Sequence, residues 1–341
     1  MVILYVGNKL AAHGASLTGV ETLSEQLRGI GYQVVAVSDK RNVVFRLIDM
    51  VFSLIKRRKE IDLVLIDTYS RLAFWYAFII GALCRKFGIP YIPILRGGGL
   101  PSRIKRSPYC SRTLFKGSVT NVAPSMAFVE LFKKLGLEVV CIPNNINLSD
   151  YAFKERSSFR MRLLWVRSFH EIYNPGLAIQ LLHELLKQGY DAELCMVGPD
   201  KDGSLNACNN MAKILDVRHK VVFTGRLSKP KWHKLAADYD IFINTTNFDN
   251  TPVSVIEAMA LGLPVVSTNV GGIPYLLKSG EDSILVNPNN LEQMLEAVIE
   301  TTRDEAQTRQ RVITARTKVE SYDWEVVKKQ WQAVLDPYNH A

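Results

Sequence analysis

The stretch FDNTPVSVIEAMALGLPVVSTNVGGIP, residues 248–274, decides how this chain is read. Thr251 to Ala260 suits a helix: Pro252 fits a first turn, and Gly262 with Pro264 supplies the stop. Asp249 lies in the loop before that helix. Glu257 lies inside it, among Val255, Ile256, Ala258 and Met259. A carboxylate in such surroundings is costly to bury unless hydrogen-bond donors meet it. Hydroxyls of a ribose would provide them. The amides of Val253 and Ser254 would face a phosphate, with the helix dipole favouring the anion.

Outward from this stretch, apolar runs alternate with helical patterns along the whole chain. MVILYVG (1–7), QVVAVS (33–38), DLVLID (62–67), PYIPIL (90–95), VTNVAPS (119–125) and EVVCIPNN (138–145) read as six strands. A helix over Gly19–Gly29 separates the first two. The pattern restarts with RMRLLWVRS (160–168), DAELCMVG (191–198), KVVFTG (220–225), DIFINT (240–245), PVVST (264–268) and SILVN (283–287). Strand–helix alternation predicts parallel sheets covered on both faces. The expectation is an α/β protein of two doubly wound, Rossmann-like domains, 1–152 and 153–322, facing across a cleft. A last helix over about 323–341 is expected to pack back on the first domain. Open sheets of this kind bind ligands beyond the carboxyl ends of their strands.

With 341 residues, 48% hydrophobic and 22% charged, the composition is that of a globular protein too long for one comfortable core. The net charge of +9 is unevenly placed. Residues 1–160 hold 23 Lys/Arg against 11 Asp/Glu, whereas the remainder holds 19 against 22. A basic half attracts nucleic acid, an anionic membrane face or a phosphorylated substrate. No zinc-finger, helix-turn-helix or RNP-type signature supports nucleic acid.

The five cysteines are scattered, odd in number and without a CxxC pair, which fits free thiols in a reducing cytosol. The histidines lack HxxxH or HExxH spacing, so a protein-held metal is not expected. The opening MVILYVGN reads as a strand rather than a signal peptide. The longest apolar run, Leu72 to Cys84, is too short to span a bilayer.

Two fingerprints fail. GASLTGV (14–20) places Gly14 and Gly19 at P-loop spacing, but Val20-Glu21 stand where Lys-Ser/Thr would be, and no GxGxxG follows the first strand. What is left is a glycine loop entering a helix at Gly19, where a backbone amide can approach a phosphate or sugar. DYD (238–240) ends a helix instead of following a strand, and reads as surface charge.

The opening stretch resembles the EGxPxxxxEAMAxGxPVVAT…GGxPE signature of the family 4, GT-B fold glycosyltransferases. The resemblance continues through TGVE (18–21), IPNNIN (142–147), LLWVRSF (163–169), AELCMVG (192–198) and VVFTGR (221–226), in order and over nearly the whole chain. It implies transfer of a sugar from a nucleotide-diphosphate donor to a hydroxyl of a glycan or polyprenyl-linked acceptor. It also implies retention at the anomeric carbon and no cofactor or metal, in bacterial polysaccharide biosynthesis. By the same resemblance Glu257 would bind the ribose, Asp249 the donor sugar and Arg167 the diphosphate. Gly19 would lie under the donor and Arg226 beside the base. Asn250, Thr251, Val253 and Ser254 complete the expected donor-binding set.

Some positions depart from the family pattern. Asp249 stands for the usual Glu. Tyr173-Asn174 occupy the place of a diphosphate lysine, which makes Tyr173 a further donor-side candidate. Arg96, in LRGGGLP (95–101), stands where a His is common; it is read either as a charge at the catalytic centre or as a structural ion pair. Tyr275 replaces the Glu of GGxPE. Other readings are a different GT-B nucleotide-sugar enzyme or a non-catalytic sugar-nucleotide or glycan-binding module.

Residues 40–59 pair apolar side chains with terminal Lys/Arg on a helical pattern, as an interfacial membrane segment would. A core-packed helix with solvated ends gives the same pattern. Residues 96–116 add Arg103, Lys105, Arg106, Arg112 and Lys116 in a stretch read as loop-rich. Together they point to an enzyme of the cytoplasm, peripheral on the inner face of the cell membrane.

Overall fold

The computed structural model describes residues 1–13 and 18–339. Gly14, of the failed P-loop pattern, and the last two residues of the expected terminal helix lie outside the described residues. The chain divides into two compact units, Met1–Pro143 with Val327–Ala341, and Asn144–Val326.

The first unit is a six-stranded parallel sheet of β1 (Val2–Val6), β2 (Gln33–Val37), β3 (Leu63–Thr68), β4 (Tyr91–Leu95), β5 (Val122–Ala123) and β6 (Val140–Cys141), in the order β2-β1-β3-β4-β5-β6. Helices Gly19–Gly29, Val43–Arg57 and Ala73–Phe87 connect the first four strands. All six residues of β3 are buried, as expected of a central strand covered on both faces. Its core gathers Val64 and Ile66 with Phe74, Ile80, Phe115 and Phe132. The direction of the chain across the sheet reverses between β1 and β3, which makes their carboxyl ends the natural crevice of this unit. The Tyr32 hydroxyl donates to Asp336 and ties the chain's tail to this unit.

The second unit repeats the theme with β7 (Arg162–Val166), β8 (Glu193–Val197), β9 (Val221–Gly225), β10 (Ile241–Asn244), β11 (Val265–Thr268) and β12 (Ile284–Val286), ordered β12-β11-β10-β7-β8-β9. Here the reversal falls between β7 and β10. The connecting segment is fixed by Arg156. This buried guanidinium donates to the carbonyls of Tyr239, Ala236 and Gly262 and pairs with Asp240 at 3.5 Å. Asp240, half of the DYD pattern, is therefore a partner of the linker.

Two local expectations change. Residues 96–116 are largely helical, as Leu100–Arg106 and Pro108–Lys116, because Pro101 and Pro108 sit in first turns where their missing N–H costs nothing. The helix of the opening stretch begins at Val253, with Pro252 as its N-cap in extended backbone rather than inside its first turn.

The helix Val43–Arg57 is started by Asn42, whose side chain accepts from the amides of Val44 and Phe45. Met50 and Leu54 pack inward, and Arg46 is buried with its guanidinium on the carbonyls of Lys40 and Arg41. Phe45, Ile48 and Phe52 recur every three or four residues on the outside, beside Val44, and Phe45 is 64% exposed. No described helix is long and apolar enough to cross a membrane.

Candidate functional site

In the second unit the expected residues gather at the β7/β10 reversal. Arg167 follows β7 directly, its amide donating to the Val197 carbonyl at 3.0 Å. Its guanidinium lies over the Tyr173 ring, 4.4 Å from the centroid, and forms an ion pair with Asp249 from the loop after β10. Burial pulls the Arg167 pKa below its ordinary value, opposed by Tyr173. Tyr173 thus supplies a π-face beside the arginine in the place where a second cation was looked for.

Two glycines hold the Asp249 loop in position. The Gly272 amide donates to the Asp249 carbonyl at 2.9 Å. A Cβ on Gly271, which has φ +57°, would come 2.0 Å from that carbonyl oxygen. One on Gly272 would come 1.9 Å from the Asn250 carbonyl oxygen. The Asn250 amide in turn donates to Asp249 Oδ1 at 2.7 Å. After Asn250 and Thr251 the chain enters the helix Val253–Ala260. Backbone bonds there begin with Val255 and Ile256 donating to the Pro252 carbonyl, so the amides of Val253 and Ser254 precede the first bonded turn.

Glu257 is 4% exposed and two donors meet it at the same oxygen. Its Oε1 lies 2.8 Å from the Tyr151 hydroxyl, 2.7 Å from Lys229 Nζ and 4.0 Å from His233 Nε2. The His233 ring packs between Tyr151 and Trp232, 4.5 Å from each. Burial lowers the His233 pKa although Glu257 pulls the other way. Burial, reinforced by Glu257, raises that of the Tyr151 phenol. Arg226, exposed, follows β9. Sequence reading did not single out Tyr151, Lys229 or His233. One signal was there: Lys229 and His233 are four apart on one helix, hence on one face.

In the first unit, Gly19 opens the helix after β1, and Thr18 with Glu21 forms a capping box. Arg96 follows β4. Its Nε donates to Asp67 Oδ1 at 3.0 Å and its Nη2 to the Tyr5 hydroxyl at 3.3 Å, while that hydroxyl donates to Asp67 Oδ1 at 2.9 Å. A Cβ on Gly19 would meet Arg96 Nη2 at 2.5 Å. The structure thus brings Gly19 and Arg96 together, with Arg96 in an ion pair. Tyr275, at the GGxPE departure, is exposed.

Comparison with known proteins gives this geometry a context. Residues 155–319 match the family model described as glycosyl transferases group 1. An uncharacterised glycosyltransferase of Methanocaldococcus jannaschii is 26% identical over 306 residues, 80% of this chain and 76% of that protein. The sulfoquinovosyl transferase SQD2 of Arabidopsis thaliana is 33% identical over 107 residues, 30% of this chain but 21% of that relative's length. Among solved structures, Anabaena HepE in complex with UDP superposes with a TM-score of 0.80 at 15% identity, covering 98% of this chain and 99% of that one. The architecture of two six-stranded parallel sheets is the GT-B fold.

Proposed function

Taking residues 155–319 as a group 1 glycosyltransferase domain, we propose that the chain transfers a sugar from a nucleotide-diphosphate donor to a hydroxyl of a glycan or lipid-linked glycan, with retention and without a resident metal. The observation that carries this reading is the Arg167–Asp249 pair at the β7/β10 reversal, beside a helix whose first amides precede its bonded turn. HepE, of the same fold, was solved with UDP.

In this reading the diphosphate lies against Val253, Ser254 and Arg167, where the helix dipole and the guanidinium face an anion. Glu257 accepts from the ribose. Asp249 accepts from hydroxyls of the donor sugar, steered by Arg167, and Asn250 and Thr251 border that sugar. Arg226 borders the base. As the bond to the anomeric carbon breaks, charge grows on the leaving diphosphate, and fixed cations and dipoles aimed there stabilise the transition state most. Gly19 and Arg96 are assigned to the carboxyl-end crevice of the first unit.

We place the acceptor at a membrane surface. The exposed apolar face of Val43–Arg57, with Lys40, Arg41, Lys56, Arg57, Arg58 and Lys59 at its ends, is the pattern of a helix lying in an anionic interface. This makes the enzyme peripheral to the cytoplasmic face, acting on a polyprenyl-linked glycan.

The test is a thermal-shift panel of UDP-, GDP- and ADP-sugars, followed by release of nucleoside diphosphate from the stabilising donor. Slow release without acceptor is the expected result, and stabilisation without release would make the chain a binding module.

A further inference from the structure

Glu257 is held by one oxygen. The Tyr151 hydroxyl and Lys229 ammonium both meet Oε1, at 2.8 and 2.7 Å, with His233 Nε2 at 4.0 Å from the same atom. A carboxylate this deep in an apolar helix keeps its charge only if donors compensate for the lost water. The two donors on Oε1 do that and leave the compensation one-sided. We propose that Tyr151 and Lys229 are positioning residues for nucleoside recognition. They fix Oε1, so that Oε2 is presented to the ribose diol. The proposal rests on the assignment of Glu257 to the ribose.

The two partners differ in kind. Tyr151 belongs to the segment that enters the second unit and is buried, so its bond is a fixed strut. Its neighbour Leu148 donates to Asp323 at 3.1 Å, which anchors the segment independently of Glu257. Lys229 opens the helix Lys229–Ala236 four residues beyond Gly225, the end of β9, and its side chain is 59% exposed. It is a solvent-facing cation at the edge of the site, in contact with the carboxylate at 2.7 Å. Removing the strut frees the carboxylate to rotate, whereas removing the cation leaves its geometry and changes its charge balance. Ribose selectivity is therefore expected to depend chiefly on Tyr151 and less on Lys229.

The experiment compares each nucleoside diphosphate (UDP, GDP and ADP) with its 2′-deoxy analogue by titration calorimetry on the full chain, and takes the ratio of dissociation constants for the diphosphate that binds. In wild type the ribonucleotide is favoured about tenfold, the worth of one hydrogen bond to a charged group. Glu257→Gln should bring the ratio near one, which tests the underlying assignment. Tyr151→Phe should bring it to about twofold, and Lys229→Met to a value between that and the wild-type ratio. A purely structural role for Tyr151 would weaken both ligands equally and keep the ratio. If Glu257→Gln abolishes selectivity while Tyr151→Phe and Lys229→Met keep it, the positioning proposal is overturned and the ribose assignment stands. If Glu257→Gln itself keeps the ratio, the ribose assignment fails and the positioning proposal falls with it.

Discussion

Arg167 and Asp249 come from loops after neighbouring strands, β7 and β10, and neutralise one another at the point where the sheet order reverses. Each charge sits in a half-buried place beside the other, which offsets its lost hydration. In the proposed reading a diphosphate arriving at Arg167 competes with Asp249, and the pair is expected to loosen as charge builds on the leaving diphosphate.

Arg167→Ala should lower kcat by about 10²–10³-fold, the usual loss on removing a group aimed at transition-state charge, and weaken donor binding much less. Arg167→Lys should not rescue it, because an ammonium lacks the planar face that lies over Tyr173. Separate kcat and KM values check both; a change confined to KM would remove Arg167 from the chemical step.

Gly272→Ala should displace the Asp249–Asn250 loop, since its Cβ would fall 1.9 Å from a backbone oxygen that cannot swing away. Donor affinity is expected to fall at least about tenfold, together with a lower Tm from overpacking of about 1–3 kcal/mol. Gly29→Ala is the control: nothing lies within 4 Å of its Cβ, so stability should hold or rise slightly. Calorimetry and thermal melts of the two variants read the difference.

Arg96→Ala leaves the Asp67 carboxylate, fully buried, without its cation. Breaking such a pair costs about 3–5 kcal/mol. Adding Asp67→Asn should recover part of that loss in urea unfolding, because a buried amide is cheaper than a buried charge. Equal instability of the single and double variants would show that the arginine's packing, rather than its charge, is what the first unit needs.

His233 gives the fold a pH dependence of definite sign. Its pKa is lowered in the folded protein, chiefly by burial. As pH falls through the ordinary histidine range near about 6.5, the unfolded chain takes up this proton before the folded one, and stability drops. Unfolding midpoints should be higher at pH 7.5 than at pH 5.5, and His233→Gln should flatten that part of the profile. A mutant profile parallel to wild type would show that other groups set the dependence.

Replacing Phe45 and Phe52 with Ser should abolish flotation with anionic vesicles while leaving donor-stabilised melting unchanged, since both side chains already face outward. Flotation equal to wild type would remove the helix Val43–Arg57 from any membrane role.

The sequence carried the strands and the centre of the second unit well, because both write themselves locally. Parallel strands buried on two faces appear as continuous apolar runs, and Asp249, Pro252 and Glu257 announce a loop and a helix start within ten residues. The surroundings of those carboxylates were not legible. Tyr151 reaches Glu257 across 106 positions of chain, and Asp67 reaches Arg96 across 29. No local pattern encodes contacts made by strands and linkers meeting at a sheet's edge. The helices of 96–116 were hidden for a different reason: prolines and glycines punctuate turns and first helical turns alike, and flanking packing decides between them.

Ile146 accepts from the amide of Trp324 at 2.9 Å, and its own amide donates to the Tyr322 carbonyl at 3.0 Å. These bonds lie close to the positions where the chain enters the second unit, at Asn144, and leaves it, at Val326. The entrance and exit of that unit are thus stitched side by side, and the unit is topologically a cassette spliced into a single site of the other. A cassette with adjoining ends is the form that tolerates transplantation and circular permutation. The second unit is in that sense a portable module, open to exchange with the equivalent segment of another GT-B protein without re-threading the first.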